Sequence, residues 1–279
     1  MRQYAPVYEA EAAMAGGHTL ISPPVRTDGV GTALILLITL LVSIAPAVGG
    51  HAQVGIGAAT FLTTAVAAWY GSRHAVSLGL FWAVVAASKL SGVYYQQITL
   101  GCSIIAYVII VWVVPPLRFT MAWARVGRVG REVFFPILFA VLTANVGLAL
   151  WYRLTSPDLN DLVRNFVPDL APAVLIAGAV AFSMVNALVE EVAFRGVLMH
   201  ALDAALGAGA ASVVLQAIPF GLLHLGAGFP RGWIGVGLAM IYGILRGMIR
   251  RRAHGMLAPW LAHVCTDISI GVFVLTLAP

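Results

Sequence analysis

About nine runs of close to twenty apolar residues follow one another along this chain, and that recurrence fixes most of what it can fold into. A helix needs about 20 mainly apolar residues to cross ~30 Å of hydrocarbon. The runs are 30–49, 54–71, 75–95, 97–116, 133–152, 172–190, 208–226, 232–249 and 256–278. Composition agrees: 61% of the 279 residues are hydrophobic and only 10% charged, against ~45–50% apolar and ~25% charged in soluble domains. Mean hydropathy is +0.94. So few charges cannot cover a water-facing surface, which excludes an ordinary soluble enzyme, a disordered chain and a nucleic-acid-binding domain. Long unbroken runs, instead of alternating strands of ~10 residues, exclude an outer-membrane barrel. The expected fold is all-α, a polytopic helical membrane bundle of eight or nine transmembrane helices, with the lipid bilayer as a partner and no nucleic acid. Cys102 and Cys265 both lie in apolar runs and make no disulfide framework.

Arginine sorts the connections. Arg118, Arg125, Arg128 and Arg131 crowd one, and Arg250 to Arg252 another. The segment after Tyr152 sets Arg153 and Arg164 against Asp158, Asp161 and Asp169. By the positive-inside rule the two arginine-rich segments are cytoplasmic and the acidic one is outside. One crossing per run then puts the N-terminus, Arg2, Arg26 and Arg73 inside and Pro279 outside. Residues 1–29 read as a polar, flexible N-terminal arm and a poor signal peptide. Pro115-Pro116 is expected to end a helix. Trp69, Trp82, Trp112, Trp151, Trp233 and Trp260 fall near run ends, as an aromatic belt does.

The chain divides by chemistry. Residues 30–171 form N-terminal transmembrane helices almost free of ionisable groups within the runs, Lys89 excepted, and of unknown role. Residues 172–279 carry Glu190, Glu191, Arg195, His200, Asp203, His224, His263 and Asp267. Ionisable groups at membrane depth are costly and mark a site.

Three motifs hold these residues. In Glu190-Glu191-Val-Ala-Phe-Arg195, Glu191 and Arg195 share a helix face in the favourable acid-first order, a structural pair. Glu190 is turned about 100° away without a partner at that spacing, which suits a general base working near neutral pH. The plain alternative makes all three an interhelical ion network. In Phe220-Gly-Leu-Leu-His224, the histidine and Glu190 lie at similar distances from the turn at Gly207, so a helical hairpin brings them to similar depth, where they can share a water. The alternative is a lone histidine bonded to a backbone carbonyl. In His263-Val-Cys-Thr-Asp267, imidazole and carboxyl share a face at i,i+4, and the alternative is a local helix-stabilising bond. Together they supply what hydrolysis by water needs: a base, a proton shuttle and donors for an oxyanion. A divalent metal would accept the same side chains, although no HExxH is present.

The order E-E-x-x-x-R, F-x-x-x-H, H-x-x-x-(N/D) over roughly 172–279 resembles the CPBP family of intramembrane glutamic proteases, which includes type II CAAX prenyl endopeptidases and bacteriocin-processing proteins. The resemblance implies that Glu190 activates water, that His224 positions it or relays its proton, and that His263 and position 267 stabilise the oxyanion. Arg195 with Glu191 would hold the motif helix, and Phe220 belongs to the second motif. It implies no metal and no cofactor. Many relatives resemble an asparagine where this chain has Asp267. An ionised aspartate accepts hydrogen bonds but cannot donate one, so Asp267 is expected to orient His263, which donates alone. The implied substrate is a membrane-tethered protein or lipidated peptide, cut near its C-terminus at a CAAX-like or sorting-signal tail. The implied place is a bacterial or archaeal plasma membrane. The rival readings are a non-catalytic immunity or scaffold protein, a proton-relay transporter and a metal-dependent membrane protease.

His200 and Asp203 read as interfacial polar residues, Lys89 as a lysine snorkelling to a headgroup, and Arg250 to Arg252 as topology determinants. Straight, full-length spans would hold the three motifs apart, since His263 lies just past the cytoplasmic arginines and His224 ends an outgoing run. The run 172–206 would also be about 50 Å long as one helix. A break near Gly196 or around Pro219 is therefore expected.

Overall fold

The computed structural model describes residues 26–93, 95–158, 170–226 and 228–277. Most of the 1–29 arm, with Arg2, lies outside the described residues, as do Asp161, Arg164, Asp169 and Pro279.

Among the described residues there are ten α-helices and no strand: α1 (Gly29–Ile44), α2 (Gly50–Trp69), α3 (Arg73–Leu90), α4 (Gln96–Val113), α5 (Arg131–Thr155), α6 (Pro172–Glu191), α7 (Met199–Leu206), α8 (Ala210–Leu222), α9 (Gly232–Ala253) and α10 (Leu257–Leu277). All nine apolar runs become helix. Seven are long and apolar enough to cross a membrane. The other two are α3, diluted by Arg73, His74 and Lys89, and α8, whose 13 residues reach only about 20 Å. The chain is a polytopic helical bundle and an integral membrane protein. Leu40, Leu62, Ile105, Phe135 and Ile176 lie among the exposed large apolar side chains, as residues facing lipid do.

Local chemistry explains the element ends. Asp28 caps α1 by accepting from Gly31 N–H at 2.7 Å. Pro115-Pro116 stops α4 and opens a 3₁₀ segment, Pro115–Met121, as the sequence required. Pro172 occupies the first turn of α6, where its missing N–H costs nothing.

Between α6 and α7 the chain never leaves the helix. Val192–Leu198 winds as π-helix, so 172–206 is one continuous rod with an irregularity at the expected place. Gly196 sits inside that segment because a side chain there would meet the Trp123 ring, 2.8 Å from where its Cβ would lie. Pro219 falls near the end of α8, which gives way to a 3₁₀ turn at Leu223–Leu225. The break expected near Gly196 is not found, since the helix only changes its winding there, whereas the helix around Pro219 does end within a turn.

The two arginine-rich segments dock on each other. Arg128 N–H donates to Ala253 C=O at 2.7 Å, and Met256 N–H to Arg125 C=O at 2.8 Å. Gly127, at φ +81°, packs where a Cβ would lie 2.6 Å from the Ala253 carbonyl oxygen. Both segments therefore share one end of the bundle, as the same-side reading of their arginines requires.

One apolar core joins α1, α3 and α4 to the π segment, α7 and Phe220, with Ile35, Phe81 and Phe194 fully buried. A smaller one joins α5, α9 and α10 around Val133 and Ala262. The aromatic belt needs correction at Trp82, which is only 6% exposed and packs against Phe81 and Phe194. Trp69, Trp112 and Trp233 are exposed near helix ends. Cys102 and Cys265 are free thiols.

Candidate functional site

Glu190 and Glu191 end α6, and both are buried. Their neighbours differ. Glu191 Oε1 meets Arg195 Nη1 at 3.4 Å, one turn on, and Arg246 Nη1 of α9 at 2.5 Å. His263 Nδ1 of α10 stands 3.0 Å from the same oxygen and also contacts Arg246 Nη1. Glu191 is thus held by two guanidiniums and an imidazole. Glu190 forms no ion pair with an arginine among the described residues. Its Oε1 accepts from the Gln96 side-chain amide at 2.9 Å, and its Oε2 lies 3.6 Å from His263 Nε2.

His263 therefore faces one glutamate with each ring nitrogen. Asp267, one turn further along α10, puts Oδ1 3.4 Å from His263 Nε2, and its Oδ2 accepts from the Asn186 amide at 2.9 Å. Asn186 in turn accepts from Gln97 at 2.9 Å. The spacing behind this holds from sequence to structure: Asn186 and Glu190 on α6, and His263 and Asp267 on α10, are i,i+4 pairs, and the two helices pack together.

Phe220 packs under the two arginines. Its ring centroid lies 4.4 Å from the guanidinium carbons of both Arg195 and Arg246, a cation–π stack that places two cations on a non-ionic partner. Arg246 also lies over Tyr242 at 4.3 Å. His224 follows Phe220 by one turn. Its Nδ1–H donates to the Phe220 carbonyl at 3.3 Å, which leaves Nε2 as the lone-pair nitrogen. Ring centroids of Phe220 lie 5.6 Å from His224 and 6.4 Å from His263, so Phe220 stands beside both histidines.

Glu190, Glu191, Arg195, Phe220, His263 and Asp267 thus form one cluster. His224 borders it through Phe220 and forms no hydrogen bond to either glutamate. The carbonyl bond that the sequence offered as the plain reading of His224 is present, and it fixes the tautomer that a proton acceptor needs.

Three members escape the motif reading. Arg246 is fully buried in the middle of an apolar run, and an intramembrane arginine is itself a signal. Asn186 precedes Glu190 by one helical turn and so shares its face. Gln96 gave no signal, because its tie to Glu190 spans 94 positions.

His200 and Asp203 also differ from expectation. Both are buried, and Asp203 is paired to Arg250 at 3.5 Å and bonded to Arg251 through both carboxylate oxygens. The arginine triplet thus contributes a structural pair as well as charge.

Residues 172–269 match the family model described as type II CAAX prenyl endopeptidase Rce1-like. No curated protein and no solved structure gives a significant match. The matched segment runs from the first residue of α6 into α10 and contains all three motifs. On that match residues 172–269, about a third of the chain, are similar to the CAAX protease family.

Proposed function

We propose that the protein is an intramembrane endopeptidase of the glutamic type, with Glu190 as its base. The observation that carries this reading is the unequal treatment of two adjacent carboxylates. Glu191 is paired through Oε1 to two permanent cations, whereas Glu190, among the described residues, is bonded only to a neutral amide and faces an imidazole. A proton acceptor needs that freedom, since a carboxylate locked to a guanidinium has little affinity for a proton.

In this mechanism a water beside Glu190 Oε2 attacks the scissile carbonyl carbon and gives its proton to Glu190. The carbonyl oxygen becomes an oxyanion, which the His263 Nε2 edge stabilises as a donor. His224, with its lone pair on Nε2, positions the water or relays the proton. Return of the proton to the departing nitrogen breaks the C–N bond and releases a new carboxyl terminus and a new amine. Asp267 orients His263 from the Nε2 side. Arg195, Arg246, Glu191 and Phe220 hold the frame. The chemistry uses no metal.

The substrate we propose is a membrane-tethered protein or lipidated peptide cut near its C-terminus. Residues 172–279 act as the catalytic region, and 30–171 shape the approach to it. The host membrane we propose is a bacterial or archaeal plasma membrane, with the N-terminus cytoplasmic.

The test is to express wild type and Glu190→Gln at equal levels in the native host and compare the terminal peptides of membrane proteins by mass spectrometry. New termini are expected only with wild type, and they should persist under a chelator. Identical sets at matched expression would overturn the protease reading in favour of an immunity or scaffold role. Loss of the termini under chelator would favour a metal-dependent enzyme.

A further inference from the structure

A cavity reaches Gln96, the residue bonded to Glu190, and most of its wall lies outside the family-matched segment. It opens between the C-terminal halves of α1 and α3 and the N-terminal halves of α2 and α4. Trp82, Leu100, Phe194 and Leu223 make it predominantly apolar, and Gln96, whose amide holds Glu190, is also part of its wall. The cavity therefore reaches the amide that holds the proposed base. Phe194 comes from the first motif itself.

One lining residue is charged. Lys89, in the last turn of α3, is half-buried, and its ammonium forms no hydrogen bond or ion pair with any described residue. Topology does not account for it. The cavity is at the end of α3 and α4 opposite the arginine-rich segment that follows α4, so Lys89 stands apart from the clustered positive charge. An unpaired ammonium beside an apolar wall strongly favours an anion whose remainder is apolar, because pairing removes the cost of leaving the charge alone. The last residues of a peptide with apolar side chains present that combination: a free α-carboxylate next to hydrocarbon.

We propose that Lys89 binds the terminal α-carboxylate of the substrate while the cavity takes its last apolar side chains, so that the distance from Lys89 to Glu190 sets how far from the C-terminus the chain is cut. This rests on the protease reading of Glu190 and adds the specificity determinant. An extended chain advances about 3.3 Å per residue, so a lysine separated from Gln96 only by the short α3–α4 connection limits the cut to a position few residues from the end.

The test uses two probes in detergent micelles: a peptide ending in S-farnesyl-Cys-Val-Ile-Ala with a free carboxylate, and the same peptide as its C-terminal amide. Cleavage is followed with wild type and Lys89→Ala, and binding with each of these in the Glu190→Gln background by photo-crosslinking of a labelled probe. The expected result is an acid-over-amide preference of about tenfold or more, about 1.4 kcal/mol, seen as a lower KM or Kd and lost with Lys89→Ala. A wild type that does not discriminate acid from amide, in cleavage or in binding, overturns the proposal. So does a Lys89→Ala variant that weakens both probes equally, which is the result for a lysine that holds a lipid phosphate. Failure of the protease reading looks different: no cleavage of either probe, with the Lys89-dependent binding preference intact.

Discussion

Two ionic clusters bridge the long 172–206 rod and α9, and they are built differently. Around Asp203, one carboxylate meets two arginines, and Arg251 also donates to Ser212 Oγ at 2.6 Å. Around Glu191, three carboxylates meet two fully buried arginines and one histidine. The first cluster has cations to spare and no proton-carrying partner among its contacts. The second has a surplus of carboxylate, and the surplus falls on Glu190 and Asp267, which flank His263 Nε2 at 3.6 and 3.4 Å. Buried ion pairs are poor sources of net stability, but breaking one is expensive. The Asp203 cluster therefore behaves as a clasp, and the Glu191 cluster as a clasp with a proton site attached.

The contrast can be broken most strongly at Arg246. Arg246→Ala leaves Glu191 buried with one cation fewer and should cost about 3–5 kcal/mol, read as a lower unfolding temperature in micelles. An unaltered unfolding temperature would mean that Arg246 is not part of the clasp. Asp203→Asn should cost less, about 1–3 kcal/mol, because Arg251 is 26% exposed and can rehydrate. Turnover per folded molecule should remain within about twofold, since a clasp stabilises without touching substrate; a deep loss of turnover at unchanged fold would merge the two clusters into one functional unit. The smallest effect is expected at Asp267→Asn. The amide keeps an acceptor for Asn186 and gains a donor towards the oxyanion, so peptide hydrolysis should stay within about tenfold of wild type. A loss as deep as that of Glu190→Gln would show that the charge of Asp267, not its position, is what the site needs.

Much of this was legible beforehand, and the reason is geometric. Helical spacing alone pairs Glu191 with Arg195 and His263 with Asp267, and both pairs are present. The helix end just past Pro219 followed from a simple conflict, motifs that must meet on spans too long to let them, whereas near Gly196 a change to π winding stands where a break was expected. What escaped depends on contacts between distant segments. Nothing local in Gln96 points to Glu190, and the i,i+4 rule that pairs Asn186 with Glu190 is silent about Asp267 on α10. Trp82 was misplaced because nearness to the end of a run does not determine which way a side chain faces. Asp203 was misplaced because a pair of long arginines on α9 could not be foreseen as its company.

The π segment has a further consequence. Glu191 and Asp203 are a dozen positions apart, which on an unbroken α-helix puts them roughly 120° out of phase. A π turn absorbs about one extra residue and so takes back roughly 100°. Both carboxylates then address the same neighbour, Arg246 for one and Arg250 with Arg251 for the other. The segment works as a gear offset between two toothed stretches of one shaft. Removing a single residue from Val192–Leu198 would leave each stretch helical and apolar, yet turn one against the other by nearly a third of a revolution, so that whichever clasp closed first would hold the other open.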